Sequence, residues 1–239
     1  MFKSQRLDEM MAILKRCQYA TVSELAAELY ASEATIRRDI TLLEQRGLVN
    51  RSDGGVALAD GNNRFVDLET RTEKNQKEKM LIARRAAEQV RNGDAIILDA
   101  SSSVLNMLPY LKQERLTIIT NSMLVAEKMA HTGARIFLTG GLLLESSRAF
   151  GGSVAEKMLR GFHADKLFFS ATGVSESGEI SDYSELEAQL RRVMIASSAI
   201  RYFLCDSSKY GKRYLFNIAN VKEIDHVISD QPLAFVPQE

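Results

Sequence analysis

A small winged helix-turn-helix unit followed by a larger α/β domain with a mostly parallel sheet is the fold class that the sequence predicts. Three observations lead to it. Residues 1–58 carry three helical patterns and a hairpin signal in close succession. From about residue 80 short apolar runs alternate with helical stretches, and a polar segment divides the two parts. At 239 residues the chain suits one large domain or two unequal ones, since domains typically hold ~100–150 residues.

The first helix is carried by "SQRLDEMMAILKRC", where Leu7, Met10, Met11 and Leu14 recur at i, i+3, i+4 and i+7. The second begins at "TVSELAAEL", with Thr21 and Glu24 spaced as a capping box. A break at Tyr30 and Ala31 is followed by Ser32, which caps the third helix, and a 3–4-residue turn between two helices is helix-turn-helix spacing. On a wheel of ~100° per residue, Ile36, Ile40 and Leu43 face the first two helices. Ala34, Arg38, Thr41 and Gln45 point the other way, with Arg37 and Glu44 on a flank. That outward face suits a DNA major groove, because a guanidinium can grip guanine O6 and N7 as a fork. A solvated helix face is the alternative. Net charge is no guide: residues 1–58 hold eight Lys/Arg and eight Asp/Glu, and the whole chain is neutral. The case for DNA therefore rests on where the charges sit. In "GLVNRSDGGVALA", apolar stretches flank Asp-Gly, a hairpin signal that completes a winged helix, with Arg51 at the base of the wing near phosphate or the minor groove.

"TVSELAAELYASEATIRRDITLLEQRGLVNRSDGG" resembles the N-terminal domain of the DeoR family of bacterial transcriptional regulators, through Glu24–Leu29, Ser32–Asp39, Leu43–Gly47 and Arg51–Gly55. Asp53 stands where the family usually has His, and Ala31 where it usually has Val. The resemblance implies a DNA-contacting set of Ser32, Thr35, Arg37, Arg38, Thr41 and Arg51. Residues 59–78 are expected to be a polar connector, in which Phe65, Val66 and Leu68 could anchor and Arg71 could close over a ligand phosphate. The lysines there, Lys79 at its end included, read as solvated surface.

The remaining segment, 79–239, opens with the helix "IARRAAEQV" and then shows six apolar runs, at 95–99, 116–120, 135–140, 166–170, 201–206 and 226–230. Continuous apolar runs separated by helices indicate parallel strands covered on both faces. Polar residues gather where five of these runs end: Asp99 with Ser101, Ser102 and Ser103; Thr120 and Asn121; Gly140 and Gly141; Gly173; Asp206 and Lys209. Parallel α/β sheets build ligand crevices at these carboxyl ends. Such residues also serve ordinary turns and caps, although five turns alike favour a site. The Ser101–Ser103 cluster offers hydroxyls and N–H groups to an anion, and Lys209 a charge.

This half resembles the DeoR-type C-terminal sensor domain, whose fold is similar to ribose-5-phosphate isomerase and the CoA-transferase group. "GDAIILDASSS", "TIITNSMLVAEKM", "DKLFFSATGV", "ELEAQLRRVMI" with Glu187, and "LCDSSKYGKRYLFNIANVKEIDHVISD" carry the likeness. Ala100-Ser101-Ser102 replaces the family's Gly-Thr-Thr. The resemblance implies a repressor of a carbohydrate-metabolism operon, bound to a double-stranded DNA operator as a homodimer or homotetramer and controlled by a phosphorylated sugar. An isomerase-like enzyme using Asp99, Glu187 and Lys209 is the alternative, but no base and electrophile share one motif, so no catalytic residue is expected. Cys17 and Cys205 are isolated and read as buried thiols; His131, His163 and His226 are scattered, so neither metal nor cofactor is expected. No run approaches the ~20 apolar residues of a membrane span and "MFKSQRLDEMM" lacks a signal-like apolar region, which makes the cytoplasm the expected location.

Overall fold

A computed structural model describes residues 3–17, 19–45, 48–52, 55–58 and 68–233. Gly47, the expected turn at Asp53-Gly54, and Phe65 and Val66 lie outside the described residues, as do the side chains of Cys17, Gln45 and Arg51. The chain divides into two compact units, Met1–Val66 and Asp67–Glu239.

The first unit runs α1 (Lys3–Cys17), β1 (Tyr19–Thr21), α2 (Val22–Glu28), α3 (Glu33–Gln45), β2 (Val49–Ser52) and β3 (Gly55–Leu58). Thr21 caps α2 as its sequence requires: its hydroxyl accepts from the Glu24 amide at 3.1 Å, and the Glu24 carboxylate accepts from the Thr21 amide at 2.8 Å. Tyr30, at φ 48°, turns the chain left-handed between α2 and α3. Leu7, Met10 and Leu14 of α1 meet Leu25 of α2, Leu29 at its C-terminal cap and Ile36, Ile40 and Leu43 of α3 in one buried cluster. Sequence periodicity did not indicate β1, which pairs with β3 to make a three-stranded sheet of order β1-β3-β2. Three residues are too few to display a period of two.

The second unit begins with α4 (Leu68–Glu73), α5 (Gln76–Ala87), β4 (Ala95–Leu98), α6 (Ser102–Leu105), β5 (Thr117–Thr120), α7 (Met123–Met129) and β6 (Arg135–Leu138). It continues with β7 (Leu142–Leu144), β8 (Ala149–Gly151), α8 (Gly152–Leu159), β9 (Ala164–Phe169), β10 (Gly173–Val174), β11 (Glu179–Asp182) and α9 (Glu185–Ala196). β12 (Ser198–Cys205), β13 (Phe216–Asn220) and β14 (His226–Ser229) complete it. The six predicted runs form one parallel six-stranded sheet, order β14-β12-β9-β4-β5-β6. Alternate residues explain the unbroken apolar runs. Ile96, Leu98, Ile118, Phe168, Tyr202 and Leu204 pack on one face with α5, α6 and α7. Ile97, Ile119, Leu167, Phe169 and Phe203 pack on the other with α8 and α9. Burying each such side chain contributes about 1.5–3 kcal/mol, so both faces are needed to hold the sheet.

The hairpin β7-β8 and the antiparallel sheet β10-β11-β13 were not anticipated. The expected connector needs correction at its C-terminal end, because α4 and the start of α5 occupy residues 68–78. Leu68 is buried in the core, and the Thr72 hydroxyl donates to the Leu68 carbonyl at 2.7 Å. Polar composition concealed a helix that is held by tertiary burial rather than by its own periodicity.

Candidate functional site

In the first unit α3 has an inward and an outward side. Ile36, Ile40 and Leu43 are buried. Asp39 also turns inward, and its carboxylate accepts from Arg6 Nε of α1 at 2.5 Å, which withdraws a negative charge from the outward side. Ser32 and Thr35 sit at the start of α3: Ser32 Oγ accepts from the Thr35 amide at 3.3 Å, and the two hydroxyls lie 2.9 Å apart. Arg37 is exposed and paired with Glu33 at 3.2 Å. Ser23 and Arg37 hold the Glu33 carboxyl below its usual range. Thr41 donates its hydroxyl to the Arg37 carbonyl at 2.9 Å. Arg38 is exposed and makes no side-chain hydrogen bond or ion pair among the described residues. Arg51 lies on β2 opposite Val56.

In the second unit the site follows from strand order. β4 has β5 on one side and β9 on the other, so the chain leaves its carboxyl end in opposite directions and opens a crevice there. Asp99 and Ser170 stand at that point. The Asp99 carboxylate accepts from the Ser101 amide at 2.9 Å, the Ser170 amide at 3.2 Å and Arg191 Nε at 3.0 Å. Arg191 also donates to Asp182 at 3.0 Å and to Glu187 at 3.1 Å, so one buried guanidinium holds three carboxylates. Burial alone would lower its pKa, but Glu187, Asp182 and Asp99 together raise it. Burial also drives Glu187 upward, yet the guanidiniums of Arg191 and Arg71 prevail and hold it below its usual range. Asp182 goes the other way, raised by burial. Sequence reasoning missed Arg191; its i,i+4 spacing from Glu187 was the available signal.

A small cavity lined by Asp99, Ala100, Asn121, Glu187 and Arg191, with Leu190 and Met194, brings three expected residues together. Asn121 Nδ2 donates to the Phe150 carbonyl at 3.0 Å, while its Oδ1 and Ser103 Oγ are buried without a hydrogen-bond partner. Farther along the sheet end, Asp206 accepts from Asn75 Nδ2 at 3.1 Å and lies 3.6 Å from Lys209 Nζ, which donates to Ser170 Oγ at 2.6 Å. Lys79 is buried and not solvated as expected: it is 4% exposed and donates to the Arg71 carbonyl. Burial and then the Lys209 charge lower its pKa to about 8.

Several expected residues also make local structural contacts. Ser101 caps α6 through the Val104 amide at 3.3 Å; α6 is a single turn, too short for a sizeable dipole. Ser102 is buried, and its carbonyl accepts from Asn106 Nδ2 at 2.8 Å. The Thr120 hydroxyl donates to the Leu98 carbonyl at 2.7 Å and accepts from the Ser122 amide at 3.0 Å. Gly141, at φ +122°, lies where a Cβ would meet the Gly151 carbonyl at 2.5 Å; Gly140 precedes it, with Val154 as its nearest neighbour. At Gly173 a Cβ would strike Tyr214 at 2.7 Å. Gly141 and Gly173 thus serve close packing, whereas a Cβ at Gly140 would meet only an ordinary contact. Ala100 takes no left-handed backbone angle, so its replacement of glycine adds no strain. Among the described residues no His/Cys/Asp/Glu group is arranged to hold a metal, and no helix is long and apolar enough to cross a membrane. Cys205 is buried, which pushes its thiol up to about 12.

A winged helix-turn-helix with an outward guanidinium, joined in one chain to a parallel α/β unit with a polar crevice at its switch point, defines a DNA-binding regulator with a sensing half. The chain belongs to the DeoR family: residues 6–62 match the DeoR-like helix-turn-helix domain and residues 74–231 the DeoR C terminal sensor domain. It is a DNA-binding transcriptional regulator. It is 35% identical to the uncharacterized HTH-type transcriptional regulator YulB of Bacillus subtilis, over 98% of this chain and 91% of that protein. It is 30% identical to the lactose phosphotransferase system repressor of Staphylococcus epidermidis, over 96% and 93%. Among solved structures, eIF2B delta from Chaetomium thermophilum shares the fold at a TM-score of 0.51 and 16% identity, over 67% of this chain and 58% of that one. Ribose 5-phosphate isomerase A from Methanocaldococcus jannaschii overlaps at a TM-score of 0.43 and 15% identity, over 57% and 55%.

Proposed function

We propose that the chain represses a carbohydrate-metabolism operon in the cytoplasm, and that a phosphorylated sugar bound in the second unit controls its grip on DNA. The observation that carries the reading is the switch-point crevice. Asn121, which lines it, has a buried Oδ1 without a partner among the described residues, as does Ser103 Oγ on α6, and Arg71, Lys79 and Lys209 share one neighbourhood with Asp206. Unpaired buried polar atoms are costly unless something meets them. Sugar hydroxyls would pair with Asn121 and Ser103, and Glu187 and Asp206 offer further acceptors. The phosphate complements the cations, since it carries about −1.5 to −2 charges near neutral pH. The name of the lactose phosphotransferase system repressor agrees with control of a carbohydrate operon.

Thermal-shift screening of sugar monophosphates against their parent sugars, followed by titration, tests the reading. Lys209→Ala is expected to weaken the responding compound at least tenfold and to leave effector-free operator affinity within twofold. An unaltered response places the anion elsewhere. For the DNA side, we propose contacts from Arg37, Arg38, Thr41 and the start of α3 at Ser32 and Thr35, with Arg51 on the wing strand. Two-fold operators match two-fold proteins, so a homodimer or homotetramer is the working form. Sedimentation at micromolar concentration should show one of these, and a monomer would overturn that part.

A further inference from the structure

We propose that Arg71 seats the effector's anionic group and thereby ties the ligand to α4, the helix that follows the DNA-binding unit in the chain. The proposal rests on the sensor reading above and adds to it a seat and a route of regulation. Leu68 anchors α4 in the core, α4 packs against α6, and Lys79 of α5 donates to the Arg71 carbonyl. The backbone at Arg71 is thus held while its guanidinium acts on Glu187 and Tyr183 at the crevice.

Two of its nitrogens, Nε and Nη2, are buried and have no hydrogen-bond partner among the described residues. These two donors lie on one edge of the guanidinium and project nearly parallel N–H bonds, the fork that a phosphate or carboxylate fills with two oxygens. Glu187 feels the Arg71 charge but makes no hydrogen bond to these two nitrogens, and its Oε2 accepts from Arg191 at 3.1 Å. Lys79 and Lys209 add two more positive charges around the carboxylate of Asp206, while Glu187 lies within electrostatic reach of Arg71, a balance that still favours an anion.

Position in the chain gives the seat its regulatory meaning. β3 ends at Leu58 and α4 begins at Leu68, so α4 is the first described helix after the winged unit. An anion on the fork adds a tie between α4 and the crevice, and its departure removes that tie. Occupancy is therefore passed to the segment that leads to the winged unit, where it changes DNA affinity.

The full chain is titrated with inorganic phosphate and with the sugar monophosphates, following arginine Nε–H resonances by NMR and operator affinity in parallel. Phosphate is expected to shift one buried Nε–H resonance that is missing in Arg71→Lys. Arg71→Gln should weaken anion binding at least tenfold. Arg71→Lys should weaken it several-fold, because an ammonium lacks the fork. Both variants should hold operator within twofold of wild type when anion is absent, and both should need correspondingly more anion to respond. Should Arg71→Gln not fold, Arg71→Lys carries the comparison. Wild-type anion affinity in the variants overturns the Arg71 seat, and the sensor reading then stands if Lys209→Ala still weakens binding. Loss of operator affinity without anion also overturns the proposal, by making Arg71 structural. No binding of phosphate or any sugar phosphate to the wild-type chain overturns both readings.

Discussion

Replacing Arg191 by methionine is expected to destabilise the second unit by about 3–5 kcal/mol, the cost of removing one partner from a buried ionic cluster. Asp99, Asp182 and Glu187 each accept from this guanidinium at 3.0–3.1 Å, and all are buried. Without it three carboxylates would share a low-dielectric site and would have to protonate or draw in water. The damage would reach the crevice as well, because Asp99 also accepts from the Ser101 and Ser170 amides that shape the switch point. Lysine should rescue little, since a single ammonium cannot span three directions that a planar guanidinium covers. Urea denaturation followed by far-UV circular dichroism measures the loss. A change under about 1 kcal/mol would mean that the carboxylates are held by other groups.

The second large effect concerns DNA. Arg38→Ala is expected to weaken operator binding at least tenfold, in line with about 1–3 kcal/mol for a bidentate base contact, with the fold unchanged. The Arg38 side chain is outward and has no ion pair to break, so its loss removes no intramolecular support. Arg37→Ala should cost less, because Arg37 is shared with Glu33 at 3.2 Å and a phosphate must compete for it. Footprinting at fixed salt decides the matter, given how steeply phosphate contacts depend on ionic strength. Normal protection by the Arg38 variant would make the assignment of α3 to the groove wrong.

Local signals were legible where one residue's neighbours in sequence are also its neighbours in space. The capping box at Thr21 and Glu24, the buried stripe of Ile36, Ile40 and Leu43, and six apolar runs became structure as expected. Residues whose partners lie far along the chain were not legible. Arg6 and Asp39 are 33 positions apart, and Arg191 and Asp99 are 92 apart. Nothing in either local pattern reveals the pairing. The polar residues do gather at strand ends of the sheet, but composition could not separate those that cap or pack from those left with unpaired atoms. Thr120, Gly141 and Gly173 belong to the first group, Asn121 and Ser103 to the second.

By itself, then, the sequence determined the two-part architecture, the inward and outward sides of α3, and the family, since each depends on periodicity or on contiguous motifs. Tertiary structure alone decided that Asp39 is drawn inward, that Arg191 gathers three carboxylates, and that Lys79 is buried against the Arg71 carbonyl and not solvated. The physical reason is common to all of these. A charge's role depends on which opposite charge and how little water surround it, and both are set only when distant segments pack together.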